Sequence, residues 1–360
     1  MKKFVVILVL MLLFSVPAVA QSDIISDVFF TISSDYINEN SNKDIMFKGL
    51  KALRKVDGAV KFKYKNDNLY FYYNKKKVSS FKMPLQSPDS QDWASLTKSI
   101  IDKAIEVSPK IELIDFEMPD RFAQAVFDDL DGYSHYYSSF SDKADDVPVV
   151  KRNYASRLVG DDILLIKILT FKKDVSQKVK ESVDECSKCK SLIIDLRGNH
   201  GGLLDEALKI TDMFLDEGII TYTLSKDGTS PKFYTSVEGD IFNNLPIVIL
   251  VDAFSASASE VLAAALSEQN RATLIGTKTY GKGTVQDVSK NSDGSAMALT
   301  TSYFYTPGGN IINEQGLTPA ICTGGLKSVH NITEGICDKE DRFTNETDVE
   351  IAVKFLKGAI

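Results

Sequence analysis

The chain has 360 residues, of which 44% are hydrophobic, 25% charged and 10% aromatic. This composition excludes a disordered, collagenous or disulfide-dense mini-scaffold chain, and the length allows roughly two domains of about 150 residues. Lys and Arg number 42 against 49 Asp and Glu, a formal charge of −7. That balance argues against a broad basic face for phosphate backbones, and so against nucleic acid as partner.

At the N-terminus Lys2 and Lys3 precede an apolar run from Phe4 to Phe14, then Pro17 and Ala18-Val19-Ala20. The run is short for a bilayer span and ends in a small-x-small cleavage pattern, so residues 1–20 read as a secretory leader cut after Ala20. Its removal deletes two basic residues and no acid, leaving a formal charge of −9. No other stretch is apolar enough to cross a bilayer, so membrane contact is expected only through the leader, and the protein is expected in the periplasm or outside the cell. In an oxidising compartment four cysteines, Cys186, Cys189, Cys322 and Cys337, read most simply as two disulfides. Cys186-Ser187-Lys188-Cys189 also has the spacing of a redox motif or half a zinc site, although no second ligand pair lies near it in sequence.

From Ser22 to about Leu53, apolar residues recur at helical steps until Asp57-Gly58. The period then changes to two. Val60, Phe62, Tyr64 and Leu69, Phe71, Tyr73 flank Asn66-Asp67-Asn68, which predicts a hairpin near 59–83, with a third strand at Val78 to Phe81. Its lysines, Lys61, Lys63, Lys65, Lys75, Lys76 and Lys77, read as a solvated face, with anion binding as the alternative. Helical spacing returns from Trp93 to Val107 and from Phe122 to Leu130, completing an N-terminal, mainly helical region over 21–145. Ser141 to Gly160 is polar and reads as a boundary.

Beyond it, strands at 163–171, 192–196, 219–224, 247–251 and 272–275 alternate with helices at 175–186, 204–215 and 258–268. This predicts a layered α/β domain over 146–325. A hairpin is expected around Asp293-Gly294, and a C-terminal loop and helix over 326–360.

Three segments follow apolar strands, where α/β proteins build sites. In Ser255-Ala256-Ser257-Ala258-Ser259-Glu260 a serine opens a helix, either as a cap or as a nucleophile beside N–H groups that can hold an oxyanion. Asp195-Leu196-Arg197-Gly198-Asn199-His200-Gly201-Gly202 carries two glycines where backbone can approach a reacting carbonyl. It has neither a dinucleotide fingerprint nor a P-loop lysine, which argues against nucleotide binding. In Gly281-Lys282-Gly283-Thr284-Val285-Gln286 the lysine is either a surface charge or, in a dry site, a base for serine.

Together with Leu130-Asp131-Gly132-Tyr133-Ser134, Tyr305-Thr306-Pro307-Gly308-Gly309 and Gly316-Leu317-Thr318-Pro319, these segments resemble the carboxy-terminal processing (tail-specific) proteases, in that family's order from about Asp131 to Pro319. The resemblance implies a layered α/β protease core of the ClpP/crotonase-like type and an exported serine endopeptidase acting on protein or peptide substrates without metal or cofactor. By motif position it implies Ser257 as nucleophile, Lys282 as general base, Gln286 as its orienting partner, and the backbone N–H groups of Ala258 and Gly202 as oxyanion donors. Ser255, Ser259 and Lys278 are neighbours that the motif does not select. His200 stands where the family usually has Pro or a small residue; with Gly201 it is a candidate for lining the cleft, a base role in place of Lys282 being the lesser alternative.

Most of the family carries a PDZ module after the Leu-Asp-x-Tyr-Ser element. Here only about 28 residues separate Ser134 from Ile163, too few for even a domain of about 50. Substrate capture is therefore expected on the N-terminal region or on an adaptor protein. A non-catalytic binding protein that keeps the fold, and a thiol–disulfide protein using Cys186 and Cys189, are the alternatives from other classes.

Overall fold

The computed structural model describes residues 23–139, 153–237, 239–242, 244–323 and 348–359. The leader over 1–20 and Cys337 lie outside the described residues.

The N-terminal region runs α1 (Ile24–Asp35), α2 (Asn42–Val56), β1 (Val60–Lys65), β2 (Asn68–Tyr73), β3 (Lys76–Lys82), α3 (Ser90–Val107), α4 (Pro109–Glu112) and α5 (Met118–Phe127). Side-chain caps start the first three helices of this series: Asp23, Ser41 and Asp89 each accept from a backbone N–H of the first turn. The expected hairpin is a three-stranded antiparallel sheet in the order β1-β2-β3. One of its faces, with Val60, Leu69 and Phe71, packs on the helices in a single core around Phe29, Leu50 and Phe122.

The remaining elements are β4 (His135–Tyr137), β5 (Tyr154–Val159), β6 (Ile163–Ile168), α6 (Val175–Asp184), β7 (Ser191–Asp195), α7 (Leu204–Asp212), β8 (Gly218–Ser225), β9 (Lys232–Ser236), β10 (Ile247–Val251), α8 (Ala258–Glu268), β11 (Ala272–Gly276), β12 (Thr284–Lys290), β13 (Ala296–Tyr305), β14 (Ile321–Cys322) and α9 (Asp348–Leu356). They build a six-stranded sheet in the order β14-β11-β10-β7-β6-β5 and a second, antiparallel sheet in which β13 pairs with β12, β8 and β4.

In the larger sheet β6, β7, β10, β11 and β14 are parallel. Both faces of its centre are covered, which is why strands such as Ile247–Val251 are unbroken apolar runs. Leu164, Ile166, Ile194 and Ile249 face a core shared with helices α6, α7 and α8, while Ile163, Leu165, Ile193 and Leu250 face Ile351 and Ala352 of α9.

Two expectations are corrected. The polar stretch read as a boundary over 141–160 contains β5, an edge strand antiparallel to β6 whose residues are mostly solvent-exposed. Its two faces are largely uncovered at the sheet edge, so it lacks the apolar signature of a strand buried on both faces. The strand expected at 163–171 ends at Ile168, and Phe171 instead bridges to Gly202.

Strand β4 also ties the two regions together, because it pairs with β13, whose Met297 and Leu299 join the N-terminal core. Cys186 and Cys189 form a disulfide, with Cα atoms 5.4 Å apart, in the turn between α6 and β7. Cys322 is buried on β14, and its expected pairing with Cys337 falls outside the described residues. No described helix is long and apolar enough to cross a membrane.

Candidate active site

Adjacent parallel strands β7, β10 and β11 end side by side, with Asp195 opposite Leu250 and Val251 opposite Gly276. Their three following loops are the three segments singled out in the sequence. Convergence at the carboxyl ends of a parallel sheet is thus built into the strand order.

The first two loops are stitched together by buried polar groups. Asp252 accepts from the N–H of Gly198 at 2.9 Å and of Phe254 at 3.0 Å. The Ser255 hydroxyl donates to Leu196 O and the Ser259 hydroxyl to Asn199 O, each at 2.9 Å. Both serines are fully buried, whereas Ser257 between them is only partly so. Of the run, Ser257 is therefore the hydroxyl with access to solvent.

Ser257 has φ +56° and ψ −118°, a conformation that costs a non-glycine residue about 1–3 kcal/mol. A strained strand-to-helix turn of this kind lifts a hydroxyl out of the sheet at the first turn of a helix. The strain is held by Glu260, one turn into α8. Its Oε2 accepts the N–H of Ser257 and of Lys282, both at 2.9 Å, while Oε1 accepts the N–H of Gly281 at 2.7 Å and the Thr279 hydroxyl at 2.5 Å. Burial holds the Glu260 carboxyl above its ordinary range, and these four donors offset that only in part. One fully buried carboxylate thereby joins the loop of Ser257 to the loop of Lys282. Sequence reading passed over Glu260, although Ser-x-x-Glu at a helix start is the signature of a capping box.

Gly201 packs directly against the Ser257 turn. A Cβ there would lie 2.9 Å from both Ala256 O and Ser257 Cβ, and φ is +100°. The Gly201 N–H is already donated to Asn199 Oδ1 at 2.8 Å. Gly202 is solvent-exposed, and among the described residues no protein group accepts from its N–H or from that of Ala258. Of the two glycines, Gly202 thus has the available donor.

His200 is exposed and meets Phe254 edge-on, with ring centroids 5.9 Å apart. Leu203, Phe254 and Tyr280, one on each of the three loops, are also large and exposed.

Lys282 Nζ lies 4.9 Å from the centroid of the Tyr133 ring. Among the described residues no hydrogen bond joins it to Ser257 Oγ. Gln286 Nε2 donates to Thr300 Oγ1 at 3.3 Å, and among the described residues no hydrogen bond joins Gln286 to the lysine. Thr300 is itself the anchor of the Tyr133 loop: its N–H donates to Ser134 Oγ at 3.0 Å, and Asp131 Oδ1 accepts the N–H groups of Tyr133 and Ser134. Burial, with the Tyr280 hydrogen bond, pushes the Tyr133 phenol up to about 12, so it is neutral near pH 7. The Asp-Gly-Tyr-Ser element therefore docks the N-terminal region beside the lysine and Gln286.

A further, partly buried cluster holds the loop after β7. Asp195 pairs with Arg197 at 2.8 Å and Lys167 at 3.0 Å, and Arg197 reaches Asp348 of α9 at 2.9 Å. Burial alone would raise the Asp195 carboxyl, but Arg197 and Lys167 hold it below its usual range. A lowered pKa contributes stability above the unfolded value that is lost as pH falls through the folded one. Asp195→Asn should therefore cost about 1.5–3 kcal/mol in urea titrations near neutral pH. The gap from wild type should narrow below about pH 4.

A layered α/β core with a strained serine turn, two available N–H donors and a lysine loop at its strand ends has the parts of an acyl-transfer hydrolase. Residues 162–323 match Peptidase family S41. The chain is 35% identical over 179 residues to a carboxy-terminal-processing protease of Bartonella bacilliformis, covering 48% of this chain and 41% of that protein. It is 34% identical over 220 residues to the carboxy-terminal processing protease CtpA of Bacillus subtilis, covering 60% and 46%. The matched parts are thus less than half the length of these relatives. In fold, the chain is similar to the solved structure of a lipoprotein from Streptococcus agalactiae, with a TM-score of 0.51 at 17% identity over 90% of this chain and 99% of that one.

Proposed function

We propose that the protein is an exported serine endopeptidase of the carboxy-terminal processing type, acting through Ser257 and Lys282. The observation that carries this is the carboxylate of Glu260, which binds the backbone of Ser257 and Lys282 at once, so that the two loops form one unit. In the reaction the Lys282 amine takes the Ser257 proton as Oγ attacks a peptide carbonyl. The N–H groups of Ala258 and Gly202 hold the oxyanion. Lys282 then gives the proton to the leaving amine, and water releases the acyl-enzyme.

In this reading the lysine swings from the face of Tyr133 toward Ser257, and Gln286 leaves Thr300 to receive it. The exposed side chains of His200, Leu203, Phe254 and Tyr280 supply apolar contact to the substrate. Export rests on the leader pattern of residues 1–20 and is consistent with the Cys186–Cys189 disulfide.

The test is digestion of a panel of unfolded proteins by wild type and Ser257→Ala. The variant should keep its circular dichroism spectrum and lose cleavage by at least about a thousandfold. Normal turnover by the variant would overturn the proposal.

A further inference from the structure

The three-stranded sheet of the N-terminal region has an outer face that the peptidase site does not use. Cross-strand register places Lys61 and Lys77 on either side of Tyr72, Lys63 beside Tyr70, and Lys65 and Lys82 on either side of Asn68. All five lysines are exposed, and no Asp or Glu occupies a strand position on this face. The amines lie against the aromatic rings: Lys77 Nζ is 4.5 Å from the Tyr70 centroid and Lys63 Nζ 5.4 Å from that of Tyr72. A shallow concavity of about 600 Å³ opens here, lined by Lys63, Lys65, Tyr70, Tyr72 and Lys77 among others.

A chain with a formal charge of −7 has concentrated five unpaired-sign cations on one sheet face. The opposite face is buried through Val60, Leu69 and Phe71, so the charges are fixed to a packed element. Their arrangement selects among anionic partners. An acidic peptide added to an edge strand would meet one row of lysines and leave the others unused. A planar array of anions meets all three strands together. Tyr rings have an apolar body and a polar tip, which suits them to the headgroup level of a bilayer.

We propose that this face binds an anionic membrane surface, orienting the protein with its acidic remainder turned away. Each lysine near such a surface contributes severalfold to tenfold in affinity, screened by salt. Membrane contact then extends beyond the leader, and the proposal does not depend on the peptidase reading.

The experiment is co-sedimentation of the full chain with vesicles of phosphatidylcholine alone or with about 30% phosphatidylglycerol, at low and high salt. It is repeated on Lys61→Gln/Lys63→Gln/Lys65→Gln/Lys77→Gln and on a control with Lys178, Lys180, Lys188 and Lys190 changed to Gln. Whatever residues 1–20 contribute is common to all three proteins. We expect salt-sensitive binding that favours the anionic vesicles, retained by the control and weakened at least about tenfold in the sheet variant. Tyr70→Ser/Tyr72→Ser, which keeps every charge, should weaken it further than salt alone explains. Equal binding by wild type and the folded sheet variant would overturn the proposal. So would binding of soluble polyglutamate without any binding to vesicles, which would mark the face as one for acidic peptides.

Discussion

Lys282→Ala is expected to lower kcat for peptide cleavage by at least about a thousandfold, with little change in KM or in unfolding free energy. The side chain is only partly buried, and among the described residues its amine makes its one close contact with the Tyr133 ring, so removing it leaves no buried partner stranded. Its backbone N–H, which Glu260 uses, is retained. Lys282→Arg should fail as well, because a guanidinium stays protonated and cannot accept the serine proton. Lys278→Ala, in the same loop, serves as the control and should cleave normally. Steady-state kinetics on the three purified variants, with urea titrations alongside, separate loss of chemistry from loss of fold.

The second large effect is expected at Glu260. Glu260→Ala leaves four donors facing a cavity: the N–H groups of Ser257, Gly281 and Lys282 and the hydroxyl of Thr279. Leaving buried donors without acceptors should cost at least about 3 kcal/mol and abolish activity. Glu260→Gln is the sharper variant because it keeps the volume. The amide oxygen can replace one carboxylate oxygen, but the amide nitrogen then confronts the donor pair that the other oxygen served. Activity should fall even where the fold survives, since either the Ser257–Lys282 pair or the Gly281–Thr279 pair is lost. A fully active, equally stable Glu260→Gln would show that the carboxylate does not hold the site together.

Much of this arrangement was legible in the sequence, for physical reasons that differ from element to element. The strand Ile247–Val251 and the helix Ala258–Glu268 fall where periodicity placed them, because a strand buried on both faces and an Ala-rich helix have strong local signals. Strand β5 was hidden because an exposed edge strand alternates too weakly to be told from a loop. The three site loops were recognisable as motifs, yet the groups that join them were not. Asp252, Asn199 and Glu260 act through contacts between residues far apart in the chain, and no spacing rule reports such contacts. Choosing Ser257 over Ser255 and Ser259 rested on motif position. The fold adds a separate reason, since both neighbours are buried and already donate to backbone carbonyls. The lysines of the small sheet read as a solvated face, and only the register shows that Lys61, Lys63, Lys65 and Lys77 share one side with Tyr70 and Tyr72.

Ser257 and Lys282 are proposed to act as one catalytic unit on peptide bonds. Initial rates of cleavage of one unfolded protein by wild type, Ser257→Ala, Lys282→Ala and the double variant test it most directly. The double variant should lose no more than about what the worse single variant loses, because either change disables the same step. Unimpaired cleavage by Ser257→Ala, or losses that add in free energy, would contradict it.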